Sequence, residues 1–149
     1  MTDPSRDPAS LDRFVTAQRG THDAALAQLR RGRKTGHWMW FVFPQLRGLG
    51  RSQTAQVFGI ADLDEARDYL AHPILGPRLR DCTAAMLGHD ALTAEDILGP
   101  VDAMKLRSSA TLFAAAGQGP EPFDRVIAQF YGGQPCQATL AMLGRGGAR

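Results

Sequence analysis

The sequence predicts an all-α domain, and three observations carry that prediction. Helix-capping residues recur ahead of apolar positions spaced by three and four. A single segment, residues 37–46, holds six consecutive apolar residues, Trp38 to Phe43, with the aromatic and β-branched content of a buried strand, and a strand needs partners. The chain has 149 residues, 44% hydrophobic and 21% charged, which is the usage of one ordinary globular core and excludes a disordered, collagen-like or coiled-coil chain. A chain of this length buries roughly 70% of its unfolded surface, so it needs no disulfide or metal staple.

The elements follow in order. Asp7 and Pro8 suit the start of a first helix whose face is Leu11, Phe14, Val15 and Gln18. Thr21 caps a second through Ala25, Leu26 and Leu29, which Gly32 closes. Ser52 caps a short third reaching Val57 and Phe58. Asp62 with Glu65 is the aspartate form of a capping box, opening a helix through Leu63, Ala66 and Leu70 that stops before Pro73. Pro73 or Pro77 begins the next, with Leu75, Leu79, Cys82 and Met86 on one face and Gly88 beyond its end. Thr93 and Asp96 open another, which Gly99 and Pro100 break. Residues 101–116 form the longest helical stretch, ended by Gly117 and Gly119. Pro122 opens a segment containing Phe123, Val126, Ile127 and Phe130, and Pro135 precedes a last helix with Leu140 and Leu143. Periodicity cannot separate strand from helical turn in HWMWFVFPQL, but the lack of partner strands favours a buried, irregular or helical piece. The expected architecture is a single compact domain of about seven to nine short helices, without internal repeat. It spans residues 11–143, between a flexible N-terminus, 1–10, and a flexible C-terminal tail, 144–149.

Charge and targeting signals narrow the function classes. The formal net charge of +2 points to no partner, but residues 19–51 hold seven bases against the single acid Asp23. Of the 17 basic residues only Lys34 and Lys105 are lysines. The opening MTDPSRDPAS has no apolar stretch of a secretory signal, and no apolar run approaches a membrane span. Cys82 and Cys136 have no CxxC or Cys/His ligand spacing, so no metal site and no cofactor is expected. The expectation is a soluble, cytoplasmic protein without a membrane partner; nothing in the sequence speaks to oligomeric state.

Two blocks could carry chemistry. In GRKTGHWMWFVFPQLRGLGRS, residues 32–52, Trp38 or Trp40 could stack on a planar ligand while Arg33, Lys34 and Arg51 meet a phosphate or carboxylate. His37 would titrate near neutral pH. The competing reading puts Trp38, Trp40 and Phe41 in the core, as so apolar a run favours, and makes His37 a hydrogen-bonded structural residue. No G-x-G-x-x-G or Walker pattern is present. In VDAMKLRSSATLF, residues 101–113, helical spacing puts Lys105 one turn from Ser108 and Ser109, with Asp102 a turn before it. A lysine beside a hydroxyl can act as its base if burial lowers its pKa. Lys105, Arg107 and the hydroxyls could equally grip an anion, and an Asp102–Lys105 pair on a solvated face is the plain structural alternative. No G-x-S-x-G elbow or S-x-x-K order supports a hydrolase. Elsewhere, DLDEARD, residues 62–68, reads as a helix start with a solvated face, His72 as a turn residue, His22 and His89 as surface, and Cys82 as a small buried apolar residue.

The order GRKxxHWMWFxFPQLxGLGxS, YLxHPxLGPRL, KLRSSxTLF and a closing TLxxL resembles a family of small bacterial proteins of unknown function that are often labelled calpastatin. The resemblance covers roughly Leu11 to Leu143 and implies a single, mostly helical domain. Genuine calpain inhibitors are long disordered chains, unlike the core and caps read here. The resemblance implies no activity. Its signature falls on Lys34, His37, Trp38, Trp40, Gln45, His72, Arg78, Lys105, Arg107, Ser108, Ser109 and Thr111, and the chain departs from it at Cys136, where the pattern usually has an acid.

The leading expectation is a helical binding protein whose anion-accepting, aromatic-lined pocket is built from both blocks: Lys34, His37, Trp38, Trp40, Gln45, Lys105, Arg107, Ser109 and Thr111. The alternative is a hydrolase or group-transfer enzyme on a phosphate-bearing, nucleotide or ADP-ribose-like substrate, with Lys105, Ser108, Ser109 and His37 as candidate catalytic residues. Single-stranded nucleic-acid binding ranks third, because stacking aromatics and bases are present but the domain is only mildly basic and has no recognition motif.

Overall fold

The computed structural model describes residues 10–147. The expected Asp7–Pro8 start and most of the expected flexible N-terminus lie outside them. The described residues form ten helical segments, seven of them seven residues or longer, and no strand. They are α1 (Asp12–Gln18), α2 (His22–Arg31), α3 (Met39–Val42), α4 (Gln53–Val57), α5 (Leu63–Ala71), α6 (Leu75–Leu87), α7 (Ala94–Leu98), α8 (Pro100–Ala116), α9 (Phe123–Tyr131) and α10 (Gln137–Gly147). The segment beyond the nine read from the sequence is the short α3, while the Ser52- and Thr93-capped helices appear as α4 and α7. HWMWFVF contributes one buried helical turn, and α10 runs four residues past the expected domain limit at Leu143. No helix among the described residues is long and apolar enough to cross a membrane.

Local chemistry sets most boundaries. Ser52 Oγ accepts the Ala55 amide at 3.0 Å, and Thr93 with Asp96 forms a complete capping box. Gly32 ends α2 at φ 82°, a left-handed conformation in which a side chain would be strained. Asp62 receives the Glu65 amide at 2.9 Å, but the Glu65 carboxylate does not return to Asp62. It binds Arg13 and the Ala61 amide, so the box is half formed.

The centre of the molecule is α8, which packs against α5, α7, α9 and α10. Its buried residues run around the helix, from Ala103 and Leu106 through Ser109, Leu112 and Phe113, as they must in a helix enclosed on several sides. A chain of aromatic contacts joins the layers: Phe14 meets Tyr69 edge-on with centroids 5.1 Å apart, Tyr69 meets Phe113 at 5.3 Å, and Phe113 meets Phe123 at 5.7 Å. Burial in this core pushes the Tyr69 hydroxyl well above its ordinary pKa, though the Gln18 amide bonded to it pulls the other way.

Candidate functional site

Two of the sequence blocks meet at the head of α8, and a third residue set holds them there. The loop after α2 is organised by Gln28, whose Oε1 accepts the Thr35 amide at 2.9 Å, the Gly36 amide at 3.2 Å and the Trp38 indole N–H at 2.9 Å. The Lys34 amide donates to the Ile97 carbonyl of α7 at 2.7 Å. So anchored, the Lys34 ammonium reaches Asp102 Oδ2 at 2.9 Å, donates to the Gly36 carbonyl and lies 5.0 Å from the Trp38 ring centroid. Lys105, one turn farther along α8, meets the other oxygen of the same carboxylate at 3.4 Å and sits 4.4 Å over the Trp40 ring.

This cluster has two cations and one anion. The Lys34 side chain is only 9% exposed and that of Lys105 20%, so an excess positive charge is held partly out of water. Each aromatic face returns about 0.5–2 kcal/mol of cation–π attraction. Trp38 is a core residue, 2% exposed, whereas Trp40 is half-buried under Lys105.

The remaining predicted site residues divide. His37 is exposed, and Gln45 is half-buried, its backbone carbonyl accepting the Ile60 amide at 2.9 Å. Ser109 is buried within α8. Arg107 turns elsewhere: its Nε donates to the Gln134 carbonyl at 2.8 Å and its guanidinium lies 5.2 Å from the Tyr131 ring centroid. There it joins Ser108 and Thr111. Ser108 Oγ donates to the Met104 carbonyl at 3.2 Å and meets Cys136 Sγ at 3.4 Å, while Thr111 Oγ1 accepts the Cys136 amide at 2.9 Å. Among the described residues no hydrogen bond joins Lys105 to Ser108 or Ser109; the ammonium faces Asp102 and Trp40 instead.

Other signature residues serve the fold. His72 Nδ1 accepts the Ile74 and Leu75 amides at 3.1 and 3.3 Å in the turn that leads into α6, and Arg78 donates to Gln18 Oε1 at 3.4 Å. The surface placement expected for His22 and His89 is corrected. His22 is buried, and burial first, then the Arg78 charge, holds its pKa below the ordinary value. His89 is half-buried with Nε2 2.7 Å from the Leu29 carbonyl, tying the end of α6 to α2. Cys82 is buried as expected.

Sequence reasoning missed Gln28, which no motif marks, and saw Asp102 only as the i, i+3 partner of Lys105. Among the described residues no three His, Cys, Asp or Glu side chains gather as a metal set. A cleft of about 950 Å³ between α5, α6 and the 117–124 turn is lined by none of the predicted site residues.

Comparison with known proteins matches residues 8–143 to the model of a family described as protein of unknown function (DUF1810). The fold is also similar to the crystal structure of the conserved hypothetical protein Rv1873 from Mycobacterium tuberculosis. The match has 48% identity and a TM-score of 0.90, and it covers 93% of this chain and 99% of that one. A search of curated proteins finds no match. With nearly the whole domain matched by the family model, the chain belongs to the DUF1810 family of proteins of unknown function.

Proposed function

We propose that the domain binds a small anionic ligand, with a planar part for the tryptophan side, at the face where Lys34 and Lys105 share Asp102. One observation carries the reading: two partly buried ammonium groups stand against one carboxylate. Stability alone does not ask for such a cluster, because charge withdrawn from water costs free energy unless it is fully paired. An incoming phosphate or carboxylate completes the pairing. Trp40, half-buried beside Lys105, supplies the surface on which a base or other flat group rests. His37 and Arg33, both exposed on the neighbouring loop, are the groups nearest in sequence that could extend the contact.

The chain has two tryptophans, and both lie under these lysines, so intrinsic fluorescence reports on the site directly. Titration with inorganic phosphate, nucleotides and ADP-ribose-like compounds is expected to shift or quench emission saturably. Lys105→Ala and Lys34→Ala weaken binding by about tenfold or more, the loss of one charge-assisted hydrogen bond. Emission indifferent to the whole panel, or unchanged affinity in both variants, overturns the proposal.

A further inference from the structure

The second group, at the start of α10, does not take part in the lysine face. The Cys136 carbonyl accepts the Leu140 amide at 3.2 Å, which makes Cys136 the N-cap of an eleven-residue helix. N-caps are ordinarily Ser, Thr, Asp or Asn, because an oxygen must accept the free amides of the first turn. A protonated thiol is a poor substitute; a thiolate is a good one, and the helix dipole favours negative charge at this end.

The surroundings fit the anion. Ser108 Oγ lies 3.4 Å from the sulfur, and Thr111 fixes the residue through its amide. Thr139, fully buried one turn into α10, brings its hydroxyl close enough to the sulfur to favour a charge there, but forms no well-aligned hydrogen bond. A buried donor left without an acceptor is costly, and a charged sulfur or an oxygen added to it supplies one. Cys136 is half-buried, which leaves it within reach of a small reagent.

We infer that Cys136 is a site of reversible oxidation by hydroperoxides, with the Ser108 and Thr139 hydroxyls and the first amides of α10 facing the charge carried there. The thiolate sulfur attacks one peroxide oxygen. The S–O bond forms as the O–O bond breaks, and the departing hydroxide or alkoxide takes a proton from solvent to leave as water or an alcohol. Sulfur loses two electrons and the peroxide gains them, giving the sulfenate. A low-molecular-weight thiol then attacks that sulfur: the S–S bond forms as the S–O bond breaks, and the oxygen leaves as water with one proton from the thiol and one from solvent, giving a mixed disulfide. A second such thiol attacks the outer sulfur, so that the two small thiols leave as their own disulfide and Cys136 is released as the thiol.

Burial of the Cys136 thiol raises its pKa, but the Ser108 and Thr139 hydroxyls and the Thr139 and Ala138 amides outweigh it, and the net displacement is below the ordinary value. Cys82 provides the internal contrast: it is 1% exposed, and burial pushes its thiol up to about 12.

The test uses the full chain. Iodoacetamide labelling followed by peptide mapping from pH 5 to 10 is expected to modify Cys136 before Cys82, with a midpoint below that of the same cysteine in the chain unfolded by denaturant. Hydrogen peroxide with dimedone is expected to add one dimedone per chain, at Cys136, and the adduct is lost in Cys136→Ser. A Ser108→Ala/Thr139→Val double variant with an unchanged circular-dichroism spectrum raises the labelling midpoint and slows oxidation. A wild-type midpoint at or above that of Cys136 in the denatured chain, or dimedone addition without preference for Cys136, overturns the inference irrespective of how the variants fold.

Discussion

Two cation clusters in this molecule handle charge in opposite ways. Arg13 is 0% exposed, and its five N–H donors find five acceptors: the carbonyls of Ser10 and Val57 at 2.6 Å each and Gly59 at 2.9 Å, and both Glu65 oxygens at 3.1 and 3.0 Å. One cation meets one anion, and nothing is left over. At the head of α8 two ammonium groups divide a single carboxylate and lean on aromatic rings for the rest. A closed cluster of the first kind fastens α1 to α5 and the turn between α4 and α5. An open one of the second kind retains a charge for something else to meet, which is why the proposed site is placed there and not at the more deeply buried arginine.

The largest expected effect tests the closed cluster. Arg13→Ala leaves Glu65 and three carbonyls facing a void and is expected to cost about 3–5 kcal/mol in denaturant melts. Arg13→Lys recovers little of it, since a single ammonium cannot reproduce the fork. A cost for Arg13→Ala below about 1 kcal/mol, the range of exposed pairs, breaks the comparison. Next in size is Asp102→Asn, which removes the only anion of the open cluster and is expected to cost about 1–3 kcal/mol. Added inorganic phosphate should raise the melting temperature of this variant more than that of the native chain; equal responses would detach the lysines from anion binding. Lys105→Ala should change stability by less than about 1 kcal/mol, because the deleted cation is the surplus one, while the ligand-induced fluorescence change moves to about tenfold higher ligand or beyond.

The smallest effect concerns a third way of burying a base, by keeping it neutral. The folded-state pKa of His22 lies below 6.5, so the unfolded chain takes up the proton first as pH falls. The contribution of His22 is therefore fully present above about pH 6.5 and is lost as pH drops through the window below it. Chemical melts at pH 7.5 and pH 5 should show this decline in the native chain and a shallower one in His22→Gln; parallel declines would assign the acid sensitivity elsewhere.

What the sequence disclosed divides along similar lines. Caps such as Ser52, Thr93 and Gly32 depend on neighbours within three or four residues, and they are legible because their partners are adjacent in the chain. Arg13 was not legible: its acceptors lie up to 52 residues away, and its spacing within α1 marks nothing unusual. The same distance explains Glu65, whose place in a capping box is a local prediction overridden by a distant guanidinium. Lys34 and Lys105 stood out by composition, and the structure brings their blocks together. That Ser108 and Thr111 turn instead toward the start of α10, and Arg107 toward the end of α9 and the loop after it, could not be foreseen, because helical spacing places residues around an axis without saying which neighbour each side of that axis will meet. The burial of His22 and His89 escaped notice for the same reason.

The long reach of Arg13 has a consequence during synthesis. Its carboxylate partner follows it by 52 residues, so a ribosome working at about 5–20 residues per second delivers Glu65 roughly 3–10 s after Arg13. Throughout that interval the first helix carries an unpaired guanidinium that cannot enter any core. Burial of the first helix therefore has to wait at least until residue 65 has been made.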